Sequence, residues 1–97
     1  MVLIHEFQKM MQILYFKRDK QRGILATFNW LKDELDELYE ALQEGNIEAA
    51  KEEFADVMAW LASLANIVDV DLEKAVLKKY HYLCPKCSTS PCSCPFR

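Results

Sequence analysis

With 97 residues, 52% of them hydrophobic, and a formal net charge of -3, the chain is one domain with no long basic face, which argues against a nucleic-acid binder. No apolar run approaches the roughly 18 residues of a membrane span. His5, Glu6, Gln8 and Lys9 interrupt the apolar start at Val2 to Ile4 before a signal-peptide core can form, so the chain reads as cytoplasmic, with no membrane partner.

Gly23 and Gly45 are the only glycines and no proline precedes Pro85, so long helices are unobstructed. The spacing predicts four, over residues 2–17, 24–44, 47–68 and 71–82, with Gly45 ending the second and Asp71 capping the last. The expected fold is an all-α four-helix bundle over residues 1–82, followed by a short cysteine-rich tail over 83–97. The first helix carries Leu3, Phe7, Met10 or Met11, and Leu14 at heptad-like spacing, enough to cover one side of a central helix pair. After it, Lys17, Arg18, Lys20 and Arg22 form a basic segment before Gly23.

At about 100° per residue, Phe28, Leu31, Leu35, Leu38 and Leu42 form the expected core stripe of the second helix. Phe54, Val57, Leu61, Leu64, Ala65 and Val68 form that of the third. The two helices repeat one layout, because an acidic pair lies on the flank of each stripe. Glu34 and Glu37 flank the first together with Trp30 and Ala41; Glu53 and Asp56 flank the second together with Ala49 and Trp60. Residues three apart share a helix face, so each pair presents two carboxylates to one point. Between Phe54 and Val68 only Asp56, Ser63 and Asn66 interrupt the apolar run, and such a helix is expected to be buried on most sides. A buried carboxylate must be paired, protonated or bound to a cation. Lys32 and Lys51 are the only basic residues between Thr27 and Val68, so a cation from solution is the expected partner. Asp33, Asp36, Glu40, Glu44, Glu48 and Glu52 read as solvated surface.

The run from Phe28 to Leu42, with Glu34 and Glu37, followed by Glu53-Phe-Ala-Asp56 and continuing to Asn66, resembles the MazG-like nucleoside triphosphate pyrophosphohydrolases, whose pattern is EExxE followed by ExxD. The likeness covers roughly residues 8 to 80. It implies that Glu34, Glu37, Glu53 and Asp56 are catalytic Mg²⁺ ligands, and that the substrate is a nucleoside triphosphate cleaved between its α and β phosphates. Asp33 stands where the family has the first glutamate of EExxE, one methylene shorter. The resemblance and residue type also point to Arg22 and Lys79 as phosphate contacts; the alternative is a solvated linker and an ordinary basic helix terminus. Trp30, one turn before Glu34, is a candidate to stack on the base. Trp60 and Asn66 are either base or sugar contacts or core residues. A homo-oligomer, dimer or tetramer, is expected both from the family and because so small a chain cannot hide every apolar stripe alone.

The tail places Cys84, Cys87, Cys92 and Cys94 within eleven residues, outside the resemblance. CxxC followed by CxC suits a tetrahedral thiolate site, and structural Zn²⁺ is the leading reading, with disulfides, a disordered thiol tail and an iron-sulfur cluster as alternatives. For the helical domain the alternative to an enzyme is a nucleotide- or metal-binding module without turnover. A di-iron bundle is disfavoured because neither His5 nor His81 stands three residues after a glutamate.

Overall fold

Three short breaks divide the chain into four helices, and each break is written in its residues. The computed structural model describes residues 3–96. Helix α1 spans Ile4–Arg22, α2 Ile24–Gln43, α3 Ile47–Ile67 and α4 Leu72–Lys79, with no strand among the described residues. The predicted start at residue 2 lies outside them. The first helix runs through to Arg22 rather than ending near 17, because the basic segment is made of good helix formers and its positive charges sit at the favourable end of the helix dipole. The fourth ends at Lys79, short of the expected 82.

Gly45 adopts φ 68°, and around it Asn46 N–H donates to Ala41 C=O while Gly45 N–H donates to Leu42 C=O. That is the left-handed closure glycine permits at a helix end. The Asn46 side chain then accepts from Ala49 N–H at 3.1 Å and starts α3. So short a turn makes α2 and α3 an antiparallel hairpin, the most extensive pairing in the molecule; α1 packs on α3, and α4 reaches α1. At the other end of α3, Asp69 takes the left-handed position at φ 58° and the Asp71 side chain caps α4 by accepting from Lys74 N–H. Gln8 ties this turn to α1. Its amide nitrogen donates to Asn66 Oδ1 and Val70 C=O, its Oε1 accepts from Leu72 N–H, and the Asn66 amide donates back to Gln8 C=O.

The buried seam of the hairpin shares Leu31, Leu38, Val57 and Leu64 with the predicted stripes but is displaced from them. On α2 the less exposed positions are Thr27, Leu31, Glu34, Leu38 and Ala41, and opposite them on α3 lie Ala50, Glu53, Val57, Trp60 and Leu64. The face is rotated toward the acidic flank by about 60° on α2 and about 50° on α3, as reckoned at 100° per residue. Phe28, Leu35 and Leu42 remain 46%, 46% and 49% exposed, and Phe54, Leu61 and Val68 are also exposed, whereas from Val57 to Ile67 only Met58 and Leu61 of α3 are exposed, so that part of α3 is covered on most sides by α1 and α2. Leu31 is the largest aliphatic side chain buried in the seam, worth roughly 1.5–3 kcal/mol. Most other buried positions are Ala, Ser or Thr, which leaves the single chain with a thin core and its richest apolar face uncovered.

Candidate metal centre

The rotation of the seam carries two acids into it. Glu34 follows Leu31 by one turn and Glu53 follows Ala50 by one turn, and the hairpin register sets them opposite each other. Carboxylate oxygens of Glu34, Glu37 and Glu53 all lie within 4.8 Å of one another. Glu34 Oε2 and Glu53 Oε2 are buried with no hydrogen-bond partner. No basic side chain relieves them, since the ion pairs among the described residues are His5–Glu73, Arg22–Asp19 and Lys51–Glu48.

The electrostatics match that geometry. Burial first, and then the carboxyls of Glu53 and Glu37 with the charge of Asp56, push Glu34 up from 4.5 to about 7. Contact with Glu34 pulls Glu53 down, but burial and the charges of Glu37 and Asp56 outweigh that pull and leave Glu53 raised as well. Glu34 and Glu53, side by side in the seam, resist ionising together. The donor set is all oxygen, two oxygens are orphaned, and one side of the cluster is open at exposed Glu37, so the residues fit a hard divalent cation that keeps some of its water.

Asp56 lies one turn beyond Glu53, near enough for its charge to raise both Glu34 and Glu53, but it is exposed and outside the set of three. It borders two cavities between α1 and α3. One, of about 420 Å³, is lined by Phe7, Met11, Tyr15 and Met58; the other, of about 260 Å³, by Tyr15, Arg18, Asp19, Arg22, Trp60 and Ser63. Asp33 is exposed and stands outside the cluster.

Among the other expected site residues, Trp30 stacks on Trp60 with ring centroids 5.7 Å apart and planes 13° from parallel. The Arg22 guanidinium lies 4.7 Å from the Trp60 ring centroid and donates to Asp19 Oδ1 at 2.8 Å and to Thr27 Oγ1 at 3.4 Å. Asn66 is satisfied by Gln8, and ten residues of helix, about 15 Å, separate it from Asp56. Lys79 is exposed beside the Tyr80 ring. Its helix meets α1 where Glu73 accepts from His5, about 25 Å of helix rise from Arg22, so the two expected phosphate contacts sit toward opposite ends of α1.

Asp19 was not among the expected site residues, yet it is 2% exposed with Oδ2 unpartnered. Its signal was available: a single acid inside a run of bases, three residues before Arg22.

In the tail, sulfurs of Cys84, Cys87, Cys92 and Cys94 all lie within 4.8 Å of one another. The Thr89 hydroxyl and then Ser93 lower Cys87 to about 5, while Cys92, Cys87 and Cys84 crowd Cys94 up to about 11.

The profile of the MazG nucleotide pyrophosphohydrolase domain matches residues 22–88, a span that holds both acidic pairs. No curated protein matches the chain.

Proposed function

Because the chain belongs to the MazG nucleotide pyrophosphohydrolase domain family, we propose that it is a Mg²⁺-dependent enzyme that hydrolyses a nucleoside triphosphate between the α and β phosphates. Water is consumed, the α–β anhydride bond breaks, and a monophosphate, pyrophosphate and a proton are released. The observation that carries this reading is the pair of buried, unpartnered oxygens on Glu34 and Glu53, facing each other in the seam. Glu34, Glu37 and Glu53 hold the ion, and Asp56, one turn along α3, completes the set from the side of the cavities. Bound there, Mg²⁺ supplies Lewis acidity and charge neutralisation to the phosphate oxygens.

The remaining work falls to the chain's own side chains. Arg18 and Arg22, in the wall of the cavity that Asp56 borders, bind phosphate oxygens. Asp19 holds Arg22 in place, which keeps the guanidinium preorganised at the cost of sharing its donors. The Trp30–Trp60 stack offers a flat face for a base and excludes water from one end of the seam. Lys79 reaches a phosphate only if substrate or a second chain brings the two ends of α1 into use. A homo-oligomer forms over the uncovered apolar face of Phe28, Leu35, Leu42, Phe54 and Leu61.

The test is product analysis by phosphorus NMR. Each canonical and modified triphosphate is incubated with the protein, with Mg²⁺ or with chelator. Monophosphate and pyrophosphate in equal amounts, formed only with the metal, are expected. Release of orthophosphate and diphosphate, or no turnover of any triphosphate by folded protein, overturns the reading.

A further inference from the structure

Beyond Lys79 the chain has no helix or strand among the described residues, and its large apolar side chains are turned to solvent: Tyr80, Tyr82, Leu83 and Phe96 are all exposed. The only residues from 80 to 96 that are not exposed are Cys84, Cys87 and Cys94. The tail is therefore folded around sulfur. Ordering such a segment costs conformational entropy that no apolar burial offsets, so the cluster itself must supply the holding interaction.

Disulfides do not supply it. All four cysteines are free thiols, and the sulfurs of Cys84 and Cys94 and of Cys87 and Cys92 stand 3.8 and 3.9 Å apart, almost twice a covalent S–S bond. Those separations have another meaning. A zinc ion at about 2.3 Å from each of four thiolates sets tetrahedral edges of about 3.8 Å. All four sulfurs fall within 4.8 Å of one another, which leaves room at their centre for one ion and none for a multi-atom iron-sulfur core.

The backbone is arranged in the same sense. Ser88 N–H donates to Cys84 C=O and Cys84 N–H to Thr89 C=O, so Cys84-Pro-Lys-Cys87 closes into a tight loop with Ser88 at φ 58°. Ser93 N–H points at Cys87 Sγ and Cys94 N–H at Cys92 Sγ, each at 3.4 Å, donors that stabilise negative charge on sulfur.

We infer that Cys84, Cys87, Cys92 and Cys94 bind one Zn²⁺ as a closed tetrathiolate site that orders the tail. Four protein ligands leave no open coordination position, so the ion is structural. Soft sulfur donors separate it from the all-oxygen cluster of α2 and α3, and the two sites select different metals from one solution. The site is independent of the pyrophosphohydrolase reading, since none of its ligands comes from the hairpin.

The experiment is elemental analysis of the full chain purified under reducing conditions, with thiol accessibility as a second measurement. One zinc per chain and negligible iron are expected. The Cys87→Ser, Cys94→Ser double variant should lose the zinc, while Glu34→Gln, Glu53→Gln should retain it. In the wild-type chain all four thiols should react slowly with a thiol reagent and at least about tenfold faster once a strong chelator is added. Zinc well below one per chain in folded, reduced protein, iron in its place, zinc lost with the glutamates rather than the cysteines, or thiol reactivity indifferent to chelator would each overturn the inference.

Discussion

Glu34→Gln separates the metal centre from ordinary packing, because it should stabilise the protein without metal and disable it with metal. Glu34 has an ordinary value of 4.5 and is raised to about 7 in the fold. A shift of that size amounts to about 3 kcal/mol against the ionised form when fully developed. Water reaches the cluster on the side of exposed Glu37, and screening reduces the figure to about 1–2 kcal/mol. The sign follows from the raised value: the stability of the fold with Glu34 protonated is fully present below pH 4.5 and is lost as pH rises through about 7, so the penalty is felt at pH 8 and absent near pH 4.5. The glutamine that replaces Glu34 carries no charge, and its amide can donate to Glu53 or Glu37. In chelator at pH 8 the variant should therefore melt roughly 5–10 °C above wild type, by far-UV circular dichroism, and the difference should vanish near pH 4.5. Added Mg²⁺ should raise the melting temperature of wild type and leave the variant unmoved. A variant that melts below wild type in chelator at pH 8, or that gains as much from Mg²⁺, would refute the reasoning.

Glu37→Gln and Asp56→Asn should each remove most pyrophosphate release while keeping the helical circular dichroism spectrum; wild-type turnover at saturating Mg²⁺ by either variant would remove that residue from the site. Arg22→Ala should raise KM and also cost about 3 kcal/mol in urea denaturation, because it leaves Asp19, 2% exposed, as a buried charge with neither oxygen paired. Lys51→Ala, whose pair with Glu48 is open to solvent, should change stability by less than about 0.5 kcal/mol and leave KM alone, and equal effects at the two positions would contradict the assignment. Leu35→Glu or Leu61→Glu, on the uncovered apolar face, should lower the mass measured by light scattering to that of one chain, and a wild-type protein already monomeric at micromolar concentration would show that no copy covers that face.

Much of this molecule was legible in the order of its residues. Gly45 at the end of α2, and Asp71 before α4, announced the turns through chemistry that acts over three or four residues, and the structure places both where those residues require. The acidic pairs were legible because spacing fixes which side chains share a helix face. What spacing cannot fix is the partner of that face. The stripe of Phe28, Leu35 and Leu42 is indeed the most apolar side of α2, but the hairpin closes over the smaller residues beside it, where Ala41 and Ala50 permit close approach. Asn66 and Arg22 illustrate the same limit, since each is occupied by a residue far along the chain or on another helix: Gln8 in one case, Trp60 in the other. The extent of α1 was missed for a local reason. A dense run of charges resembles a linker until Asp19 is paired with Arg22 across one turn.

The hairpin seam works as a calliper. Toward the connecting turn the small side chains of Ala41 and Ala50 are buried; at the far end two indole rings stack with centroids 5.7 Å from each other. Glu34 and Glu53 lie between these two spacers, so the opening offered to an ion is set by residues that never touch it. Magnesium tolerates little departure from bonds of about 2.0–2.1 Å, whereas calcium accepts about 2.3–2.6 Å and a looser shell. On the proposed reading, a change of bulk at the alanine or tryptophan pair should alter the preference between the two metals without altering a single ligand.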